Sequence, residues 1–446
     1  MSDRDLPTKS STPSQARPSS APLESAKTAI ADYIAHVRLF SRNARLYLLG
    51  SFLMGINFHV FQLLLNLYLK QLGFVEGEIG LVVSSRAVGM TLIAIPAAVL
   101  MSRVKLKPLL LASCLLFAIF SYFIASLQML TLLIGFSILA GMSFSFYRVA
   151  AAPFYMRNTS RKERTHVFSF SFGMMLAAGM VGSIGSGKMV MLIGGWTGDI
   201  IIGYQVTLYI GILIGLLALI PFFLIRAARP SQEETRISIS AEQLKRRGGF
   251  YFKIAVCNFI IGLGAGLIIP FLNLYFRDRF NLSPDTIGFY YFVVQFSMLL
   301  GSLSGPILVR KFGLVRTVVI TQIASMPFML ILSYTYFLPL AFVAFVFRGG
   351  LMNLGVPLIT NFGMELSEKR EQGLVNALLM VAWTSSWMLS AAIGGRLIET
   401  YGYTVTMNIT IVLYIIATAT YYGFFRNAET RGDTSAGWIV TRDNAP

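Results

Sequence analysis

Residues 52–70 read FLMGINFHVFQLLLNLYLK, and residues 259–277 read FIIGLGAGLIIPFLNLYFR. At an offset of 207, Phe52 falls on Phe259, Gly55 on Gly262, and Leu65-Asn66-Leu67-Tyr68 on Leu272-Asn273-Leu274-Tyr275. The terminal cation recurs too, Lys70 on Arg277. Each copy is apolar over the roughly 20 residues a helix needs to cross a bilayer. Only the first copy carries the set His59, Gln62 and Asn66, spaced i, i+3, i+7 and therefore on one helical face. A duplicated span with one polar stripe predicts two similar halves around an asymmetric pathway.

The composition agrees. The 446 residues are 55% hydrophobic and 13% charged, with a mean hydropathy of +0.67, whereas soluble domains carry about a quarter charged residues. A formal charge of +17 invites a nucleic-acid reading. The cations, however, fall in short gaps between apolar runs, as membrane topology demands, so nucleic acid is not an expected partner. Cys114 and Cys257 lie inside apolar runs, which argues against a disulfide or thiolate metal site. Residues 1–23, rich in Ser, Pro and Thr, contain no apolar core of a cleavable signal.

Five regions are expected. Residues 1–45 form a tail in which Ala26, Ile30, Tyr33, Ile34, Val37 and Phe40 recur at helical spacing, as in a helix lying on an anionic membrane surface. A six-helix bundle at 46–225 has spans at 46–69, 79–101, 108–127, 130–155, 167–193 and 201–225. A polar linker covers 226–251, where Ser240 and Gln243 form a capping box for a short basic helix ending at Gly248, unless the segment is a plain solvated tether. A second bundle at 252–425 has spans at 252–276, 286–309, 315–336, 338–362, 373–398 and 404–425, and a tail follows at 426–446. Arg103, Lys105, Lys107, Arg157, Arg161, Lys162, Arg164, Arg310, Lys311, Arg316, Lys369 and Arg370 share one side with the linker and both tails, so both termini are expected in the cytoplasm.

The repeat extends further at nearly constant offset. Ile79-Gly80 falls on Ile287-Gly288, Gly187-Lys188 on Gly395-Arg396, and Gly194 on Gly402. Six-span halves related in this way are a transporter architecture with substrate bound near the midplane. Over residues 44–426 the chain resembles the major facilitator superfamily, on its duplicated layout and the basic loops after spans two and eight. The family's loop signature is kept in part. Arg103 and Lys107 hold its basic positions, while Ala98, Ser102 and Lys105 replace its first Gly, its Asp and its second Gly. In the second half Pro306 and Arg310 replace the Gly and the Asp, while Lys311 and Gly313 fit. The resemblance implies an all-α membrane fold of twelve helices in two pseudo-symmetric halves and alternating access. The expected gate comprises Ser102, Arg103, Arg310, Lys311 and Glu365, with Glu365, at the cytoplasmic end of span ten, expected to pair with one of Arg310, Lys311 and Arg316.

Other motifs weigh less. Residues 182–189, GSIGSGKM, approach a phosphate-binding loop but lack the magnesium-holding Ser or Thr and sit in an apolar span. Close helix packing accounts for them better, as for Gly262/Gly266, Gly211/Gly215 and Gly301/Gly305. His36, His59 and His166 are far apart in topology, and no nucleophile, metal or cofactor constellation appears. An enzyme is not expected.

The informative residues lie at membrane depth. His59, Arg86, Arg148 and Arg348 fall inside spans one, two, four and ten, which line the cavity in the resembled family. An arginine there costs at least ~2.5–3.5 kcal/mol without water or a partner. No Asp or Glu lies mid-span to neutralise it. Each arginine either meets an anionic substrate or ties helices together through a carbonyl or an Asn such as Asn353. His59 either bonds Gln62 structurally or titrates as a coupling site. Trp383, one turn from Trp387, is a candidate contact for an amphipathic solute.

The expected function is secondary active transport of a small organic solute, anionic or anion-bearing and amphipathic. Its substrate-binding residues would be His59, Gln62, Asn66, Arg86, Arg148, Arg348 and Trp383. The alternatives are efflux of lipophilic drugs and, in another class, a non-transporting receptor or lipid scaffold on the same fold. Expected partners are the solute, the lipid bilayer and a coupling proton, with a monomer in a bacterial inner (plasma) membrane.

Overall fold

The computed structural model describes residues 40–159, 161–226, 241–365 and 372–427. The amphipathic stretch from Ala26, the residues after 427 and linker residues 227–240 lie outside the described residues. In hydrocarbon a backbone must satisfy its own polar groups, and helices do so within one segment. The first half comprises α1 Arg42–Gln71, α2 Glu76–Arg103, α3 Leu106–Ser126, α4 Leu130–Asn158, α5 Arg161–Thr197 and α6 Ile200–Leu216. After a bend at Leu217 and Ala218, α6 continues as α7, Leu219–Leu224. In the second half, α8 Ala241–Ile268, a 3-10 turn Ile269–Phe271 and α9 Leu272–Phe280 make one span. It is followed by α10 Pro284–Phe312, α11 Leu314–Tyr334, α12 Leu338–Glu365 and α13 Gln372–Phe425.

The last element is two spans. Its 54 residues would reach ~80 Å at ~1.5 Å per residue, against a hydrocarbon core of ~30 Å. Gly402, at φ 80° and ψ 175°, breaks it in backbone that glycine adopts readily. Among the described residues twelve membrane spans result, six in each half. We call the side where α1 begins proximal and the opposite side distal. An even number of crossings returns Phe425 to the proximal side.

Two sequence expectations need correction. No short basic helix ends at Gly248, because α8 runs unbroken from Ala241 through Gly248 and Gly249 into the membrane. A glycine costs a helix only about 1 kcal/mol, less than abandoning backbone bonds at the edge of an apolar run. Gly194 is not the structural counterpart of Gly402, since α5 runs on to Thr197. The first-half turn is made by Gly198 at φ 72°, and the Asp199 side chain caps α6 by accepting from the Ile201 amide at 2.7 Å.

The halves meet where α2 packs along α13, α5 along α10, and α9 against α1. Glycines set the closest approaches toward the distal side, and they do so in mirrored pairs. A methyl group on Gly80 would lie 2.7 Å from the Ala391 carbonyl oxygen and 3.1 Å from Gly395 Cα. At the positions equivalent by the repeat, one on Gly288 would press on the Ser183 carbonyl and lie 3.3 Å from Gly187 Cα. Asn66 Nδ2 also donates across the halves to the Pro270 carbonyl at 2.6 Å, and Asn273 Nδ2 to the Leu63 carbonyl at 2.7 Å. Around these contacts Lys70 pairs with Glu76 at 2.5 Å, and Arg277 Nη2 donates to Gln71 Oε1 at 3.2 Å.

Candidate functional site

The polar residues at membrane depth arrive on helices whose apolar faces are fixed by packing. Arg86 and Arg348 are each ten residues from the distal ends of α2 and α12, and Gln295 is eleven from that of α10. At ~1.5 Å per residue these positions are ~15–17 Å deep, the middle of a ~30 Å core. His59 is twelve residues from the distal end of α1, and Arg148 ten from the proximal end of α4.

In the first half, Gln62 stands beside the His59 ring one turn away on α1, and the Arg148 charge acts on that ring. Phe58 stacks on Phe144 with centroids 4.6 Å apart, fixing α1 against α4 beside this pair. Arg148 and Gln62 are exposed and His59 is half-buried. Arg148 is nevertheless surrounded by protein atoms. The surface it exposes is thus the wall of an interior space rather than the outer face of the bundle. Arg86 is half-buried, with its guanidinium carbon 6.0 Å from the Phe61 ring centroid and one Nη2 without a partner.

The second half is built differently. Arg348 is only 3% exposed and donates through Nη2 to the Tyr414 hydroxyl at 3.0 Å, its guanidinium carbon 5.9 Å from that ring's centroid. Its Nε has no partner. Asn353 does not reach it, because the Asn353 amide donates to Gly349 in its own helix at 2.9 Å. Tyr291 also lies within range of the Arg348 charge and meets Phe345 edge-on at 5.4 Å.

The halves join at Gly179 of α5. A methyl group there would lie 2.7 Å from Gln295 Nε2 and 3.1 Å from His59 Cε1, so His59, Gly179 and Gln295 converge on one point. Gln295 Oε1 is buried without a partner. Tyr291 stands one turn from Gln295 on the same face of α10. The result is a polar path from Arg148 through His59 and Gln295 to Tyr291, Arg348 and Tyr414, crossing from one half to the other. Guanidinium, imidazole, amide and phenol groups of this kind can bind an acid group and exchange a proton.

Of the residues expected at the site, His59, Gln62 and Arg148 come together, while Arg86 and Arg348 stand at similar depth. Asn66 has its amide engaged by Pro270 and is 4% exposed. Trp383 lies on α13, its Cε3 3.4 Å from where a Gly262 Cβ would stand, and its ring is 6.0 Å from that of Trp387. Arg310 and Lys311 end α10, with Lys311 Nζ 5.2 Å from the Phe312 ring centroid. The side chains of Ser102, Arg103 and Glu365 lie outside the described residues. Tyr291, Gln295 and Tyr414 were not anticipated. The only signal was Gln295, an amide interrupting the apolar run YYFVVQFSMLL. Among the described residues no group of three His, Cys, Asp or Glu side chains could hold a metal.

The model of the Major Facilitator Superfamily matches residues 47–252 and 254–440, and the chain belongs to that family. No curated protein matches it by sequence. Among solved structures it is similar to a bacterial homologue of the human lysosomal transporter Spinster, in an inward-facing and occupied conformation. That match has a TM-score of 0.72 at 13% identity and covers 88% of this chain and 98% of the other. It is also similar to a D-xylose–proton symporter, with a TM-score of 0.69 at 14% identity over 88% of this chain and 98% of the other. The nucleoside transporter NupG gives 0.66 at 14% identity over 86% and 100%. The protein is a secondary transporter of the membrane and not an enzyme.

Proposed function

We propose that this transporter moves an anionic or anion-bearing amphipathic organic solute by alternating access. The observation that carries this reading is the charge balance of its interior. Three arginines stand at membrane depth, while every Asp and Glu of the described spans lies near a helix end. Arg148, exposed to the interior beside His59, is the group best placed to take an acid function. A substrate anion would supply the missing counter-charge through charge-assisted hydrogen bonds. Arg86, Arg348, Gln62 and Trp383 complete the proposed binding set, and His59 is the proposed proton site. We assign the proximal side to the cytoplasm of a bacterial inner membrane on its excess of Lys and Arg. There Ser102, Arg103, Arg310, Lys311 and Glu365 would gate.

The test is flux into proteoliposomes with matched anionic and cationic organic solutes. Saturable anion uptake that Arg148→Ala removes supports the reading. Uptake of cations alone, unaffected by Arg148→Ala, ends it. One observation favours the second reading, efflux of lipophilic drugs: Arg348 is tied to Tyr414 as a purely structural arginine would be. Arg348→Ala lowers stability under either reading; under the second it leaves cationic drug flux intact.

A further inference from the structure

The outer face of the first half carries a feature that solute transport does not use. Where α6 passes into α7 through the turn at Leu217 and Ala218, the outer face has an open groove of about 400 Å³ lined by Leu111, Leu219, Ile220, Phe223 and Leu224. Ile220 is 60% and Phe223 65% exposed. The chain just after α7 is anchored rather than frayed. Asn43 Nδ2 donates to the Arg226 carbonyl at 2.8 Å, and the Arg226 amide donates back to Asn43 Oδ1 at 3.1 Å. The mouth of the groove is basic: Lys107 Nζ stands 4.6 Å from the Phe223 ring centroid, and Lys105 and Arg226 are exposed nearby in sequence at the same proximal helix ends. No acidic residue occurs in α3, α6 or α7.

We propose that this groove is a binding site for an anionic phospholipid, one acyl chain lying along Phe223 and Ile220 and the phosphate on Lys107. The chain segment is apolar because the groove offers no polar partner. The headgroup is anionic because the mouth is basic with no carboxylate to compete. The cation–π contact holds Lys107 at the mouth, so its ordering costs little when the lipid arrives.

Purified protein carrying equal amounts of phosphatidylglycerol and phosphatidylcholine would be examined by native mass spectrometry. Retained lipid should be enriched in phosphatidylglycerol. Lys107→Gln should weaken that retention about fivefold, the worth of one cation at an anionic membrane surface. Lys253→Gln is the control, because Lys253 stands over Phe424 at 5.5 Å at the proximal end of the other half. Ile220→Trp should fill the groove and displace the lipid. Equal losses in Lys107→Gln and Lys253→Gln would mean general attraction to a basic surface and overturn the site. So would unchanged phosphatidylglycerol retention in Lys107→Gln, or a dimer that Ile220→Trp dissociates with no lipid lost.

Discussion

Asn66 and Asn273 occupy equivalent positions of the two halves, and each donates its side-chain amide to the carbonyl three residues before the other: Asn66 to Pro270, Asn273 to Leu63. The acceptors are themselves related by the same offset of 207. The two carbonyls become available differently. Leu63 lies inside unbroken α1, whereas the 3-10 turn at Ile269–Phe271 interrupts the other span. There the Leu274 amide is taken by Asn273 Oδ1 at 2.9 Å, leaving the Pro270 carbonyl to Asn66.

Removing either amide should loosen the distal contact. Interhelical hydrogen bonds in membranes average about 0.6 kcal/mol and reach ~1.7. Asn66→Ala and Asn273→Ala should each raise labelling of a distal cysteine by a few-fold. A double mutant no more labelled than the singles shows that the two bonds act as one. Strictly multiplicative effects show that they act separately.

The mirrored glycines predict mirrored phenotypes. Gly80→Leu and Gly288→Leu each drive a side chain into a carbonyl of the opposite half, so both should hold the distal side apart. Cysteine labelling or spin-label distances across α2 and α13, and across α5 and α10, would show it. A distal side that stays closed in either variant contradicts the packing.

Arg148→Ala and Arg348→Ala should differ. Losing a charge-assisted bond to substrate is worth ~1.5–3 kcal/mol, so Arg148→Ala should weaken affinity roughly tenfold to a hundredfold with little change in melting temperature. Arg348→Ala and Tyr414→Phe should both lower the melting temperature, and Arg348→Lys should restore only part, since a point charge cannot reproduce the guanidinium fork. Flux and thermal melting on the same preparations separate these outcomes.

If His59 carries the coupling proton, His59→Gln keeps substrate exchange and removes the response of net uptake to a pH gradient. Loss of both, or of neither, assigns the ring to holding Gln62 and the α1–α4 contact.

Much of the architecture was legible in the chain, because spans are long apolar runs and a repeat betrays itself at constant offset. Gly80 and Gly288 stood out as landmarks before their contacts were known. What spacing cannot show is which helix a face will meet. The i, i+3, i+7 pattern put His59, Gln62 and Asn66 on one face, but not the point where that face leaves the interior and enters the seam between halves. Arg348 was recognisable as a buried cation, yet its partner Tyr414 lies two spans away and carries no local signal. The helix through Gly248 and Gly249 was hidden because glycine reads as a breaker, although its penalty is small beside that of unsatisfied backbone.

The 3-10 interruption has a wider meaning. Two identical halves, related by an axis along the membrane normal, would bring identical helices to the seam between them. Here one half has an unbroken first helix and the other a broken one whose Pro270 carbonyl is claimed by Asn66 of the first half. The same cross-seam hydrogen bond is therefore made on two different backbones, so the seam is symmetric in its bonds and asymmetric in the helices that carry them.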